Sequence, residues 1–182
     1  IGKARNLFRG FLVFYMKGGI AVGNESLRTN DSVDEILDTY GRMVYRLAYA
    51  RTKNRYDADD VMQEVFLRYI RSGKEFADEE HRRAWLIRAT INCSKTLLSS
   101  AWFRKTSPLE DTLTTELEEK SEVYYAVMNL PVKYRTVIHL YYYEDLSVSQ
   151  ISGLLKTKET TVKSQLHRAR SLLKETLKGE LF

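Results

Sequence analysis

The C-terminal third of the sequence carries basic and short polar side chains whose spacing suits contact with a nucleic acid. Between Lys156 and Lys178 there are seven basic and two acidic residues, so this segment would attract phosphate groups. Short polar side chains at the start of a helix can approach base edges, and Lys or Arg further along can reach the backbone. The residues predicted to face DNA are Thr160, Thr161, Lys163, Ser164, His167 and Arg168.

A helix, a tight turn and a second helix are predicted for residues 146–177, and these elements would position the DNA-facing side chains. Ser147 and Gln150 make an S-x-x-Q capping box at the start of the first helix. The predicted buried faces are Val148, Ile151, Leu154 and Leu155 in the first helix, and Val162, Leu166, Ala169 and Leu173 in the second. This spacing is typical of a helix-turn-helix with a recognition helix. The alternative is the solvated face of an ordinary helical bundle.

The segment before this pair of helices is predicted to supply more of the same core. Pro131 stands at a plausible first helical position. The expected core residues that follow it are Val137, Ile138, Tyr141 and Tyr142. His139 lies among them and is expected to be structural rather than catalytic.

A second candidate nucleic-acid surface lies on the predicted helix around residues 82–98. Arg88, Asn92 and Lys95 recur at i, i+4 and i+7, so they share one face, and Trp85 lies at its edge. Leu86, Ile87 and Ile91 would form the opposite, buried face. Such a face can hold a phosphate backbone and a stacked base. For Trp85, ordinary core packing is an equally good interpretation.

The stretch "YDADDVMQEVFLRYI", residues 56–70, concentrates acidic residues in a chain with a net charge of +5 and a pI of about 9.2. Its apolar residues form one stripe at helical period: Val61, Met62, Val65, Phe66, Tyr69 and Ile70. Asp57 is a reasonable N-cap for this helix, but capping does not explain why Asp60 and Glu64 line one exposed face. A partner surface that carries arginines would explain it. The glycine and glutamate that a calcium loop needs are not in place.

Composition limits the fold and the class of function. The chain has 182 residues, 43% of them hydrophobic, with two prolines, nine glycines and no alternating run of strand type, so an all-α fold is predicted. No apolar run reaches the roughly 20 residues that a membrane span needs. One cysteine excludes a disulfide framework within the chain. The three histidines are scattered and no nucleophile–base pair is visible, so we expect neither enzymatic activity nor a metal or cofactor.

The distribution of charge predicts two small helical domains joined by an acidic linker. Residues 106–122 hold one basic and six acidic residues, with Ser, Thr and Pro among them, whereas the blocks on both sides are net positive. We therefore predict a first domain at 34–105, a linker at 106–122 and a helix-turn-helix domain at 123–182. Residues 1–33 would be an N-terminal extension, and 1–22 are unlike the rest, with four basic and no acidic residues.

Three of these segments resemble, in order and spacing, the small two-domain extracytoplasmic-function (ECF) sigma factors of bacterial RNA polymerase. "DADDVMQEVFLRYI" resembles the helix with which that family binds core polymerase. "RRAWLIRATINCSKTLL" resembles its promoter-melting helix, and "NLPVKYRTVIHLYYYEDLSVSQISGLLKTKETTVKSQLHRAR" resembles its C-terminal helix-turn-helix. The resemblance covers roughly residues 34–177.

The resemblance implies a role for each surface. The polymerase-binding residues would be Asp57, Asp60, Gln63 and Glu64. The residues that contact the minus-ten element would be Trp85, Arg88, Asn92 and Lys95, and the loop Gly73–His81 would capture a flipped base. Residues Thr160 to Arg168 would read the minus-thirty-five element. The acidic linker matches a family segment that threads the polymerase channels.

The family also implies the partners and the location of the protein. Core RNA polymerase, promoter DNA and a cognate anti-sigma factor are the expected partners, and the cytoplasm is the expected location. Two positions depart from the family pattern, because Lys156 stands where a glycine is usual and Lys158 where a serine N-cap is usual; Thr157 is the substitute cap that we expect. The rival hypothesis is an autonomous regulator that dimerises and binds duplex DNA by itself.

Overall fold

Apolar residues at helical spacing occur in every segment that the structure describes, and the chain folds accordingly. The computed structural model describes residues 26–100 and 122–179, with the side chains of 34–100 and 122–177. In chain order the elements are α1 (Ser26–Thr52), α2 (Arg55–Ser72), α3 (Glu79–Ser99), α4 (Glu122–Asn129), α5 (Val132–Ile138), a π-helical turn (His139–Tyr143), α6 (Val148–Leu155) and α7 (Glu159–Gly179). These ranges contain no strand, and the all-α prediction is confirmed.

Some sequence-based expectations concern residues outside this description. The statements about residues 1–22 and nearly all of the acidic linker at 106–122 lie outside the described residues. The first helix begins at Ser26, within the segment assigned to the N-terminal extension. None of the helices described is both long and apolar enough to cross a membrane.

Helices α1, α2 and α3 pack into a first unit around one apolar core. The stripe predicted for α2 faces this core, with Val61, Met62, Val65 and Phe66 buried. Helix α1 adds Ile36, Leu37, Tyr40, Val44 and Ala48, and α3 adds Leu86, Ala89 and Cys93. Burial of Cys93 also raises the pKa of its thiol, so this cysteine is a packing residue.

Capping residues are present at both ends of α2 and at the start of α3. The side chain of Asn54 accepts a hydrogen bond from the backbone N–H of Asp57 at 3.1 Å, so Asn54 is the N-cap of α2. The prediction that Asp57 is the cap is wrong, because the helix begins one turn earlier, at Arg55. Gly73 ends α2 in the left-handed conformation (φ 53°), and Asp78 caps α3 through the His81 N–H at 2.7 Å.

Helices α4 to α7 form a second unit, and five of the eight residues predicted for the buried faces of α6 and α7 are buried, while Val148, Leu155 and Leu173 are partly buried against the same core. Ile151, Leu154, Val162, Leu166 and Ala169 are buried. The predicted capping box is also present: the Ser147 hydroxyl accepts from the Gln150 N–H, and the Gln150 side chain accepts from the Ser147 N–H. The chain between these helices turns over Lys156 to Lys158.

Tyr142 departs from the predicted core of this unit. Its side chain is 56% exposed, whereas Val137, Ile138 and Leu140 are buried. The cause is the π-helical turn, in which the Glu144 N–H bonds to the His139 carbonyl five residues back. Each π-type turn holds an extra residue, so the side chains that follow rotate away from the positions an α-helix would give them.

Replacing Lys156 by glycine is expected to stabilise the protein by about 0.5–1 kcal/mol. Lys156 adopts φ 50° and ψ 49° at the end of α6, a conformation that is strained for a residue with a side chain. The free energy of unfolding, measured in urea, should therefore rise. Lys174→Gly is the matched control, because the same change at an exposed position inside α7 should lower the free energy of unfolding by about 1 kcal/mol. If Lys156→Gly and Lys174→Gly change the free energy of unfolding in the same direction, the left-handed conformation of Lys156 does not explain the effect.

Candidate nucleic-acid interface and acidic surface

The predicted acidic surface lies along one side of α2. Asp60 is exposed, and Asp57, Gln63 and Glu64 are partly exposed. Asp57, Asp60 and Glu64 are spaced by three and four residues, so they share a face. Glu64 accepts a hydrogen bond from Arg68 Nε at 2.6 Å, in an exposed ion pair within the helix.

Burial is the main cause of raised pKa values at two carboxylates on this part of α2. Partial burial, followed by the charge of Asp60, raises the pKa of Asp57. Burial and Asp60 also raise the pKa of Asp59, and Arg55 opposes the shift. The charge of Asp60 contributes to both shifts after burial, so there is repulsion between neighbouring carboxylates on this side of α2. A partner that brings positive charge would relieve this repulsion.

The predicted basic face of α3 points outward. Arg88, Asn92 and Lys95 are exposed, and Trp85 is partly exposed at the edge of this face. On the opposite side of the helix, Leu86 and Ile87 are buried, together with Ile91. The structure therefore places the four predicted residues on one accessible side of α3, as the helical spacing requires.

Trp85 belongs to an aromatic cluster at the N-terminal end of this face. Tyr69 and Phe76 are stacked, with ring centroids 5.8 Å apart and an angle of 4° between the rings. Trp85 meets both rings edge-on, at centroid distances of 5.9 and 6.0 Å. The guanidinium of Arg82 lies 5.8 Å from the centre of the Phe76 ring.

An open pocket of about 330 Å³ adjoins this cluster. Phe76, Trp85 and Ala84 supply apolar surface, Lys74, His81 and Arg88 bring basic and polar groups, and Glu75 adds one carboxylate. Aromatic surface beside basic side chains suits a planar base attached to a phosphate chain. Within the predicted base-capturing loop, the sequence did not single out Phe76. Its one available signal was an isolated aromatic in the otherwise polar stretch "SGKEFADEEHRR".

The third predicted surface is the N-terminal half of α7. All six predicted residues are exposed: Thr160, Thr161, Lys163, Ser164, His167 and Arg168. Lys158, rather than the expected Thr157, occupies the N-cap position, because the helix begins at Glu159 and the Lys158 carbonyl accepts from the Thr161 and Val162 N–H groups. The buried side of α7 packs on α6, so these polar residues face away from the core.

Arg170 and Tyr142 form a further polar pair that the sequence did not indicate. Arg170 Nε donates to the Tyr142 hydroxyl at 3.0 Å, and its guanidinium lies 5.6 and 5.8 Å from the Tyr141 and Tyr142 ring centres. The pair places a cation beside the recognition half of α7. Arg170 can reach Tyr142 because the π-helical turn places the Tyr142 side chain outside the core.

The three surfaces lie on three different helices. In the ranges 26–100 and 122–179, no three His, Cys, Asp or Glu side chains come together in a way that could hold a metal ion. The described surface has an acidic side on α2, basic side chains beside an aromatic cluster on α3, and basic and short polar side chains on α7.

Comparison with known families accounts for both units. Residues 36–104 match the family model for sigma-70 region 2, and residues 120–173 match the model for sigma-70, region 4. The ECF RNA polymerase sigma factor SigW of Bacillus subtilis (strain 168) is 28% identical over 173 residues, which cover 81% of this chain and 90% of SigW. The ECF sigma factor SigM of Mycobacterium tuberculosis is 30% identical over 149 residues, which cover 79% of this chain and 76% of SigM.

Solved structures share the fold. The sigma factor RpoE, in a co-crystal structure with the anti-sigma factor NepR from Bartonella quintana, has a TM-score of 0.63 at 17% identity and covers 81% of this chain and 97% of RpoE. CnrH, in complex with the cytosolic domain of CnrY, has a TM-score of 0.61 at 19% identity and covers 97% of this chain and 98% of CnrH. The chain therefore belongs to the ECF group of RNA polymerase sigma factors, and it directs promoter-specific initiation of transcription.

Proposed function

We propose a specific division of labour among the three surfaces. The domain at 34–105 binds core polymerase through Asp57, Asp60, Gln63 and Glu64 on α2, and it binds and melts the minus-ten element through α3. The domain at 123–182 reads the minus-thirty-five element with the exposed half of α7. The acidic segment at 106–122 joins the two and follows the polymerase channels. Polymerase supplies the nucleotidyl transfer, so this chain needs no catalytic group of its own.

The pocket lined by Phe76 and Trp85 is the main support for the proposed binding of the minus-ten element. Phe76 and Trp85 offer ring faces and edges next to the exposed basic face of α3. Flipping a base out of the duplex costs a few kcal/mol, and stacking on an aromatic side chain returns about 1–3 kcal/mol per base. Arg88, Asn92 and Lys95 continue along the helix and would hold the phosphates of the separated strand.

The minus-thirty-five part rests on the exposed polar half of α7. Thr160, Thr161 and Ser164 are short enough to reach base edges from the start of the helix. Lys163, His167 and Arg168 would contact the backbone or the bases that follow. Arg170, held against Tyr142, would add one more phosphate contact.

We also propose a cognate anti-sigma factor and action in the cytoplasm, where polymerase and the chromosome are found. The support is indirect: similar sigma factors have been crystallised with the anti-sigma factor NepR and with the cytosolic domain of CnrY. A dissociable specificity subunit that is always free would compete continuously for polymerase, so an inhibitor of this kind is expected.

Replacing Phe76 by alanine is expected to reduce promoter opening about 10-fold, because one stacking partner of the flipped base is lost. Run-off transcription with bacterial core polymerase measures initiation from a promoter taken from the protein's own upstream region. Permanganate reactivity of unpaired thymines in the minus-ten element measures melting. Both signals should fall together in the Phe76→Ala variant.

Phe76→Tyr is the control, because it keeps the ring and should retain most of the activity. Equal melting by Phe76→Ala and the unsubstituted protein would refute the pocket assignment. Tight sequence-specific duplex binding by the protein alone, without initiation when polymerase is added, would instead favour the autonomous regulator.

A further inference from the structure

One side chain of the loop between α2 and α3, residues 73–78, packs against the rest of the first unit. Five of the six loop residues are exposed, and Phe76 is partly buried. Residues 74–76 adopt no regular secondary structure, so helical hydrogen bonds do not fix this part of the chain. The contacts of the Phe76 ring are therefore the side-chain packing that positions the loop.

A chain of polar contacts leads from the core of the first unit to this ring. Tyr40 of α1 is only 8% exposed, and its hydroxyl donates to Glu79 Oε2 at 2.5 Å. Arg82 Nη1 donates to the other carboxylate oxygen of Glu79, in an ion pair within α3. The Arg82 guanidinium in turn lies 5.8 Å from the centre of the Phe76 ring, within the range of a cation–π contact. These contacts connect a buried core residue to the loop.

The Tyr40 hydroxyl remains a proton donor at neutral pH. Burial, followed by the hydrogen bond and the charge of Glu79, raises the pKa of Tyr40 to about 12, so the hydroxyl keeps its proton. Glu79 lies in the first turn of α3, where a negative charge is favourable for the helix dipole. The carboxylate is therefore held by a buried donor at a position that suits its charge.

Arg82 depends on this carboxylate for its position. Arg82 Nε is buried and has no hydrogen-bond partner among the described residues, so the bond from Nη1 to Glu79 is the polar contact that fixes the guanidinium. Phe76 lines the pocket described above, whereas Tyr40, Glu79 and Arg82 are not among the residues that line it. These three side chains would therefore act on a base in the pocket through Phe76.

The position of an aromatic ring before DNA binds affects how well it holds a base. If the loop became ordered only on binding, the conformational entropy lost by the chain and the ring would be subtracted from the binding free energy. A ring that is already fixed avoids this cost and meets the flipped base in a suitable orientation.

We propose that Tyr40 and Glu79 are positioning residues for promoter melting: through Arg82 they hold Phe76 where its ring stacks on the flipped base. This inference rests on the proposed capture of a minus-ten base by the pocket at Phe76. It predicts an effect opposite in sign to that of simple electrostatics. A carboxylate that only repelled phosphates would weaken DNA binding, so its removal would help. Removal of the Glu79 charge should instead impair capture of the base.

Binding of the holoenzyme to single-stranded minus-ten DNA tests the proposal. The probe is the non-template strand of a promoter from the protein's own upstream region, with an abasic nucleotide placed at each minus-ten position in turn. The captured position is the one where the missing base costs affinity in the unsubstituted protein but not in Phe76→Ala. The loss of affinity there should be about 10-fold, as expected for one stacked base.

Tyr40→Phe and Glu79→Gln should each reduce this 10-fold discrimination to about 2- to 5-fold, because one cation–π contact accounts for a factor of that size. Tyr40→Phe keeps the ring in the core and removes the hydroxyl, whereas Glu79→Gln removes the charge that holds Arg82. Neither change should have an added effect in a Phe76→Ala background. The urea midpoint checks folding. If Tyr40→Phe does not fold, Glu79→Gln still decides, since that side chain is 65% exposed.

Glu80→Gln is the matched control, because Glu80 is an exposed carboxylate in the same turn of α3. It accepts a hydrogen bond from Gln150 Nε2 at 3.1 Å, which the amide oxygen of a glutamine can also accept. Discrimination against the abasic position should stay at about 10-fold in this variant. A fall equal to that in Glu79→Gln would overturn the positioning role, because charge at the start of α3 would then be the cause.

The outcomes separate this inference from the proposed function. Unchanged discrimination in both Tyr40→Phe and Glu79→Gln, or stronger discrimination in Glu79→Gln, would overturn the positioning role and leave the pocket assignment intact. If no abasic position loses its effect in Phe76→Ala, the pocket assignment itself is wrong.

Discussion

Replacing Asp60 and Glu64 together by alanine is expected to weaken binding of core polymerase by roughly 30- to 4,000-fold. Charged groups that meet opposite charges across an interface cost about 2–5 kcal/mol when one partner is truncated. Asp60 is exposed and Glu64 partly exposed, and the Glu64–Arg68 pair lies at the surface of α2. An exposed pair of this kind contributes only about 0.3–0.5 kcal/mol to folding. The loss should therefore appear in docking rather than in stability.

Competition for core polymerase against a labelled copy of the unsubstituted protein measures the affinity. Run-off transcription should fall in parallel when the protein is limiting, whereas the urea midpoint should hardly change. Glu35→Ala with Glu175→Ala is the charge-matched control, because both residues are exposed and neither lies on α2 or in the acidic linker. If the control weakens docking as much as the α2 variant, net charge rather than the acidic surface governs binding.

Replacing Arg135 by methionine is expected to lower the free energy of unfolding by about 3–5 kcal/mol. Arg135 is 4% exposed and donates to four backbone carbonyls, those of Ala50, Arg51, Met128 and Leu130. Without the guanidinium these carbonyls lose this donor, two of them in buried and two in partly buried surroundings. Such a loss is a large share of the free energy of unfolding of a typical domain, which is about 5–15 kcal/mol.

Arg135 remains charged at neutral pH although its side chain is buried. Burial lowers the pKa of Arg135 to about 10, so the group is still protonated near pH 7. The expected loss in Arg135→Met is therefore that of a charged, multiply bonded donor. Urea unfolding of the full chain measures it, with Lys133→Met on the exposed side of the same helix as control. Equal midpoints for the two variants would show that the four carbonyls find other donors.

Local signals in the sequence were enough to predict most of the helices and the exposed faces. The stripe on α2, the capping box at Ser147 and the outward face of α3 follow from spacing and side-chain type alone, and the structure contains all three. These features depend on residues within about one or two helical turns of one another, so no knowledge of the rest of the fold is needed. The same reasoning places Thr160 to Arg168 on the outside of α7.

The sequence-based predictions failed at the cap of α2, the burial of Tyr142 and the role of Phe76. Asn54 rather than Asp57 caps α2, because both residue types can cap and only the path of the chain selects between them. Tyr142 leaves the core because the helix switches to π-type hydrogen bonding, for which the sequence carries no clear signal. Phe76 was overlooked since its stacking partners lie seven and nine residues away, on two different helices.

The sequence by itself determined that this protein is helical, which faces of α2, α3 and α7 are exposed, and which family it resembles, because these depend on short-range periodicity and local motifs. Only the tertiary structure decided what the buried faces meet. Ile87 and Ile91 were correctly predicted to be buried, but they contact the second unit, and Arg83 pairs with Glu144 across 61 residues. Helical periodicity specifies that a side chain leaves water; it does not specify the partner, which the packing of distant segments selects.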